Sequence, residues 1–259
     1  MLPKIIHYTW FSGDPFPESI KKCMNSWKDH LGDYEWRLWD MKAIESIDSD
    51  FLRETLAARK WAYAADYVRL YALANYGGIY LDTDVLMISN FDNFLNHRMF
   101  IGKETSIHFT GPHSAQHLTS HCMGAEKGHP FILRCLEYFD NRHFILSDNQ
   151  NLPATLRYNF VLLPYIQAEI ARTMGYDWRP LNQDIQYLEE GLVVYPSQYF
   201  DAVKETSEAV CHHMALGGWR EDMPQQVYTY SLGHKIKWRF IYIFQWILKQ
   251  FDYTTIKLE

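Results

Sequence analysis

The sequence predicts an α/β protein, a single domain built on an open sheet flanked by helices. Three observations carry that prediction. Short apolar runs of strand length alternate with segments of helical composition over residues 4–88. The 259 residues suffice for a substantial core, and no Pro/Gly/Ser-rich linker, repeat or low-complexity tract divides them. A pair of carboxylates follows one of the apolar runs, and open α/β sheets bind their ligands at the carboxyl ends of the strands.

In order, a strand is expected at 4–10, a helix at 17–31 and a strand at 35–39, with Asp40 leading into helical segments up to Tyr76. From Leu56 to Tyr76 the chain is rich in Ala, Leu and Tyr, lacks internal Gly and Pro, and stops at Gly77-Gly78. Apolar residues lie on nearly every face of this helix, so it is expected to be buried. Asp66 and Arg69 share one of its faces at i,i+3, either as an intrahelical ion pair or as two groups reaching into a pocket. A strand with the acidic pair follows at 79–88. Residues 100–165 look irregular; His108, His113, His117, His121 and His129 match no ligand spacing and read as loop and acceptor-side residues, as do Pro180–Asp184.

The segment Tyr76-Gly77-Gly78-Ile79-Tyr80-Leu81-Asp82-Thr83-Asp84-Val85 carries the chemistry. On an extended chain, i and i+2 point to one side, so Asp82 and Asp84 converge. Two like charges at one spot favour a cation. Mg²⁺ and Mn²⁺ take oxygen ligands and leave positions for substrate phosphates, which suits a nucleotide-sugar donor. A solvated turn is the plain alternative.

The run Ala65-Asp66-Tyr67-Val68-Arg69-Leu70, followed by Tyr76–Asp84, resembles the core signature of the DxD-containing glycosyltransferases of family 32. That family includes bacterial capsular-polysaccharide sugar transferases and fungal Golgi mannosyltransferases, and the clostridial glucosylating toxins carry a related core. Pro3–Phe11, Tyr34–Asp40, Gly124–Pro130, Val194–Phe200 and His212-His213 with Trp219 resemble further family segments in family order. The resemblance implies a GT-A fold, a Rossmann-like open mixed sheet over residues 1–230. It also implies a retaining, metal-dependent hexosyltransferase.

Roles follow from the resemblance position by position. Trp10 matches an aromatic that stacks on uracil, although core packing also suits an indole at a strand end. Tyr8 and Tyr80 fall beside the donor. Asp66 and Arg69 match residues that hold donor sugar and diphosphate, Asp82 one that contacts ribose and sugar, and Asp84 a direct metal ligand; Thr83 lies between them. Trp219 closes over the donor. Either His212 or His213 completes the metal site, because the spacing to Trp219 is one residue longer than usual and Gly218 replaces the usual serine. Uridine is the expected base through Trp10, with a UDP-linked Glc, Gal or N-acetyl hexose moved to a glycan in surface-polysaccharide synthesis. GDP-mannose is the alternative donor.

Composition agrees with an enzyme. Charged residues make up 22% and the net charge is -6, which speaks against a nucleic-acid partner. Four cysteines, at 23, 122, 135 and 211, show no metal or disulfide spacing, and no signal segment precedes the first strand, so a cytoplasmic location is expected. Residues 231–259 read as a basic aromatic helix. Its stretch 235–251 is too short to span a bilayer; it either lies at the inner membrane face, near a lipid-linked acceptor, or packs on the domain. Two other classes compete. Leu81–Val85 mimics the first motif of haloacid-dehalogenase-type phosphatases, though the later Gly-Asp-x-x-x-Asp motif is missing, and a sugar-binding pseudoenzyme would keep the fold without the chemistry.

Overall fold

The computed structural model describes residues 1–110 and 113–216. Within them the chain runs β1 (Ile5–Thr9), α1 (Glu18–His30), β2 (Glu35–Trp39), α2 (Asp50–Ala57), α3 (Trp61–Tyr76), β3 (Gly78–Leu81), β4 (Val85–Met87), β5 (Met99–Thr110) and β6 (His113–Ala125). It continues through α4 (Pro130–Glu137), α5 (Ala154–Arg157), α6 (Leu163–Arg172), β7 (Gln186–Tyr187), β8 (Leu192–Tyr195), α7 (Ser197–Phe200) and β9 (Cys211–His213). Trp219 and the expected tail helix at 231–259, with its 235–251 membrane contact, lie outside the described residues.

Seven strands form one mixed sheet in the order β2-β1-β3-β6-β5-β8-β7, and β4 pairs with β9 in a separate antiparallel ribbon. The expected α/β class, an open mixed sheet between helices, is what the chain adopts. Both faces of the sheet are covered, which is why β3 has no polar side: Ile79, Tyr80 and Leu81 are all fully buried. Tyr80 joins the core formed with α2, α3, α4 and α6, whereas Ile79 and Leu81 join the core formed with α1, β4 and Phe200.

The helix preceding β3 is shorter than its composition suggests. Helix α2 ends at Ala57 and Arg59 turns to φ 55, so α3 starts only at Trp61. From Tyr63 to Ala74 it is buried on nearly every side, Asp66 and Arg69 included. Gly77 and Gly78 do more than stop it. At φ 66 and 108 they occupy left-handed backbone, and a Cβ on them would stand 2.7 Å from Lys127 N and from Ile5 O respectively. The chain thus enters the sheet against β1 with no room for a side chain.

Inside this junction His7 is fully buried. Trp39 Nε1 donates to its Nδ1 at 3.1 Å, which leaves the proton on Nε2, 2.8 Å from the Gly77 carbonyl. Burial pushes its pKa down to about 4, so the ring stays neutral.

The region 99–125 differs from the irregular stretch expected. It is a long antiparallel hairpin, obscured in the sequence because its polar positions interrupt the alternation and because β6 bulges. Ile101 pairs with Met123 and Lys103 with Leu118, so Thr119–Cys122 stand opposite the single residue Gly102. Such bulges re-aim groups next to functional sites. Here the bulge turns the carbonyls of Ser120 and His121 toward the end of β3.

Candidate functional site

Asp82, Thr83 and Asp84 form the turn between β3 and β4, closed by Val85 N donating to Asp82 O at 3.0 Å. The acidic pair is therefore not carried on a continuous strand at 79–88, and its convergence does not come from strand pleat. It comes from what grips each end. Asp82 N donates to His121 O at 2.9 Å, extending the β3–β6 ladder by one rung. Asp84 is caught by the segment after β9: Met214 N donates to its carbonyl at 3.0 Å and Leu216 N to its Oδ2 at 3.0 Å.

The β4–β9 register sets Val85 against His213. Alternation along β9 then separates the two histidines. His213 Nε2 lies 3.4 Å from Asp84 Oδ1, while His212 Nδ1 donates to the Ala202 carbonyl and is not brought to the acidic pair. One ligand atom from each of Asp82, Asp84 and His213 lies within 4.8 Å of the others. Adjacent ligands about 2.1 Å from one ion stand about 3 Å apart; Asp84 Oδ1 and His213 Nε2, at 3.4 Å, are close to that spacing, and the O,O,N donor set could hold a divalent ion. Burial alone would raise Asp84, but the hydrogen bond and charge of His213 hold it below the ordinary carboxylate value. Against the same burial, Asp84 raises His213.

On the other side of Asp82 stands Arg69, whose side chain is only 4% exposed. Its Nε donates to Ala65 O at 3.2 Å, Nη1 to Ser120 O and to Asp82 Oδ2 at 3.4 Å, and Nη2 reaches Asp66 Oδ1 at 3.1 Å and Asp82 Oδ1 at 3.3 Å. A guanidinium has five N–H groups. Nε and Nη1 donate to protein oxygens, and Nη2 stands at ion-pair distance from Asp66 and Asp82. Arg69 thus stands as a clamp between Asp66 and Asp82, with its side chain buried. Burial pushes Asp66 up to about 7 although Arg69 pulls it down, and Asp82, Tyr80 and Asp66 together hold Arg69 charged against the cost of its own burial.

Tyr80 completes the clamp. Its hydroxyl donates to Asp82 Oδ1 at 2.9 Å, its ring lies 4.6 Å from the Arg69 guanidinium carbon, and Thr9 Oγ1 is 3.2 Å from its hydroxyl. Thr9 was not legible as a site residue, because its neighbour Trp10 carries the stronger signal. Trp10 itself donates Nε1 to Asp14 O at 2.7 Å and packs against Phe16, ring centroids 4.7 Å apart. Tyr8 points to the opposite face of β1, edge-on to Trp27, whose indole donates to Val85 O at 2.7 Å. Thr83 is half-buried at the turn.

His121, expected to be a loop residue, is buried in the β6 bulge with its ring against His213. His117 is also buried, edge-on to Tyr165, and His129 caps α4. At 180–184, Asn182 O accepts from buried Lys103, whose ammonium is pushed down to about 8 by burial.

Residues 17–101 match the family described as the glycosyltransferase sugar-binding region containing a DXD motif. Inositol phosphoceramide mannosyltransferase 3 of Schizosaccharomyces pombe is 33% identical over 151 residues, covering 55% of this chain and 40% of the relative. Mannosyl phosphorylinositol ceramide synthase SUR1 of Saccharomyces cerevisiae is 30% identical over 152 residues, 56% of this chain and 37% of its own. The chain thus spans about two fifths of the length of these curated relatives. Among solved structures, the PaToxG glycosyltransferase superposes with a TM-score of 0.42 at 17% identity, over 66% of this chain and 69% of that one. Among the described residues no helix is long and apolar enough to cross a membrane.

Proposed function

We propose that this chain is a metal-dependent glycosyltransferase that moves a mannosyl group from GDP-mannose to a hydroxyl of a glycan or lipid-linked acceptor. The observation that carries the reading is the convergence of Asp82, Asp84 and His213 at the end of β3 inside a DXD sugar-binding region. Those three side chains would hold Mn²⁺ or Mg²⁺, which when bound offsets the charge of a departing diphosphate. In this reading Asp66, paired with Arg69, would accept from sugar hydroxyls. The names of the two yeast relatives favour mannose over the UDP-linked hexoses expected from Trp10. A phosphatase of the haloacid-dehalogenase type would also need the later Gly-Asp-x-x-x-Asp motif, which the sequence lacks.

The test is a donor panel of GDP-mannose, UDP-glucose, UDP-galactose and UDP-N-acetylglucosamine, with Mn²⁺ or with EDTA, followed by NMR of the product anomer. Metal-dependent mannose release with retention supports the reading. Turnover of a UDP-sugar but not GDP-mannose would overturn the donor, and phosphate release from p-nitrophenyl phosphate without any nucleotide product would overturn the class.

A further inference from the structure

The bulge in β6 touches three groups of the candidate site, Arg69, Asp82 and His213. Ser120 O takes a proton donor from Arg69, His121 O takes the Asp82 amide, and the His121 ring lies on His213 with centroids 4.1 Å apart and planes 21° from parallel. His121 Nε2 is 2.8 Å from Phe200 O, and since a carbonyl only accepts, that nitrogen carries the proton and the ring is locked in one tautomer. By distance alone His121, Asp201 and His213 form a second group of ligand atoms within 4.8 Å of one another. Ring orientation argues against a shared ion there. A metal–imidazole bond of about 2.1 Å lies close to the plane of its ring. An ion in the plane of one stacked ring therefore stands over the face of the other, out of reach of its lone pair. One oxygen of Asp201, Oδ2, accepts from Thr105 N at 2.6 Å.

We infer that His121 is a positioning residue: its ring sets the plane of His213, and its carbonyl sets Asp82, while it stays outside the coordination of the ion. One residue of the bulge would then tie together two ligands that come from distant parts of the chain. This rests on the metal reading above, and the experiment separates the two.

The full chain is titrated with Mn²⁺ alone, without sugar nucleotide, and the bound ion is examined by pulsed EPR for coupling to imidazole nitrogen. Wild type is expected to show one coupled imidazole, and His213→Ala to lose it together with measurable binding. His121→Ala is expected to bind Mn²⁺ roughly 10- to 100-fold more weakly, the range for loss of a group that orients a ligand. His121→Phe keeps the stack without ring nitrogens and should bind within about threefold of wild type. Thermal unfolding of each variant shows whether it has folded. Two coupled imidazoles in wild type, wild-type affinity in His121→Ala, or loss in folded His121→Phe as deep as in His213→Ala would overturn the positioning role. Unchanged Mn²⁺ binding in His213→Ala would instead overturn the metal site itself.

Discussion

Replacing Arg69 with Met separates a clamp from a ligand for the donor. The guanidinium lies between Asp66 and Asp82 with its side chain 4% exposed, and Ser120 O depends on it as well. Removing one partner of such a buried arrangement leaves uncompensated charge and costs about 3–5 kcal/mol. For a chain of this size that lowers the melting temperature by about 10 °C. The defect should also depend on pH. Burial already raises Asp66 to about 7, so its contribution to stability is present below the ordinary value of 3.8 and is lost as pH rises through 7. Without Arg69 the carboxyl rises further, the loss continues above pH 7, and the gap between Arg69→Met and wild type widens from pH 6 to pH 9. Thermal or urea unfolding without any ligand measures this, and Arg69→Met with Asp66→Asn should recover part of the stability. A melting temperature within about 2 °C of wild type, with only turnover lost, would refute the clamp and return Arg69 to the diphosphate.

Three further outcomes are expected. His213→Ala should weaken Mn²⁺ binding at least tenfold and His212→Ala should leave it within about twofold, read from a Mn²⁺ titration, since only the first faces Asp84. Tyr80→Phe removes the hydroxyl from Asp82 and Thr9; it should cost about 1 kcal/mol in urea unfolding and roughly tenfold in turnover. His7, held neutral with a pKa of about 4 against an ordinary 6.5, takes up its proton only on unfolding; stability should therefore fall as pH drops from 6.5 to 4, by roughly 3 kcal/mol from this group. His7→Gln should reduce the slope of stability against pH in that window by about one proton, and an unchanged slope would show that another group titrates there.

The elements before Gly77 were legible because their signals are local. Ile5–Thr9 and Glu35–Trp39 are short strand-length segments rich in apolar and aromatic residues, and Gly77-Gly78 announces a helix end, whereas the close backbone approach there shows only in the fold. Asp66, Arg69, Asp82 and Asp84 stood out through their spacing, yet what each one does was not in the spacing. For Arg69 the spacing offered an ion pair with Asp66 or a donor contact, and only the fold adds Ser120 from the β6 bulge and Asp82 from the turn after β3. The choice between His212 and His213 depends on the β4–β9 register, a pairing across 128 positions that no local pattern encodes. His121 was hidden for a similar reason. A bulge of four residues opposite one destroys the period-2 pattern by which a strand is recognised.

The clamp and the acidic turn divide the charge of the site between them. Asp82 and Asp84 bring two carboxylates and Arg69 one guanidinium, while Asp66, raised to about 7 by burial, carries only part of a charge near neutral pH. Arg69 screens Asp66 and Asp82 from one side, where burial makes an unpaired carboxylate expensive. Asp84 faces the opposite way, toward His213, with its side chain 18% exposed. On the proposed reading, a divalent cation held where Asp82, Asp84 and His213 converge would supply positive charge on the side that Arg69 does not reach. Donor binding, and not only turnover, is then expected to weaken when EDTA removes the metal, and nucleotide-sugar affinity unchanged by EDTA would count against that proposal.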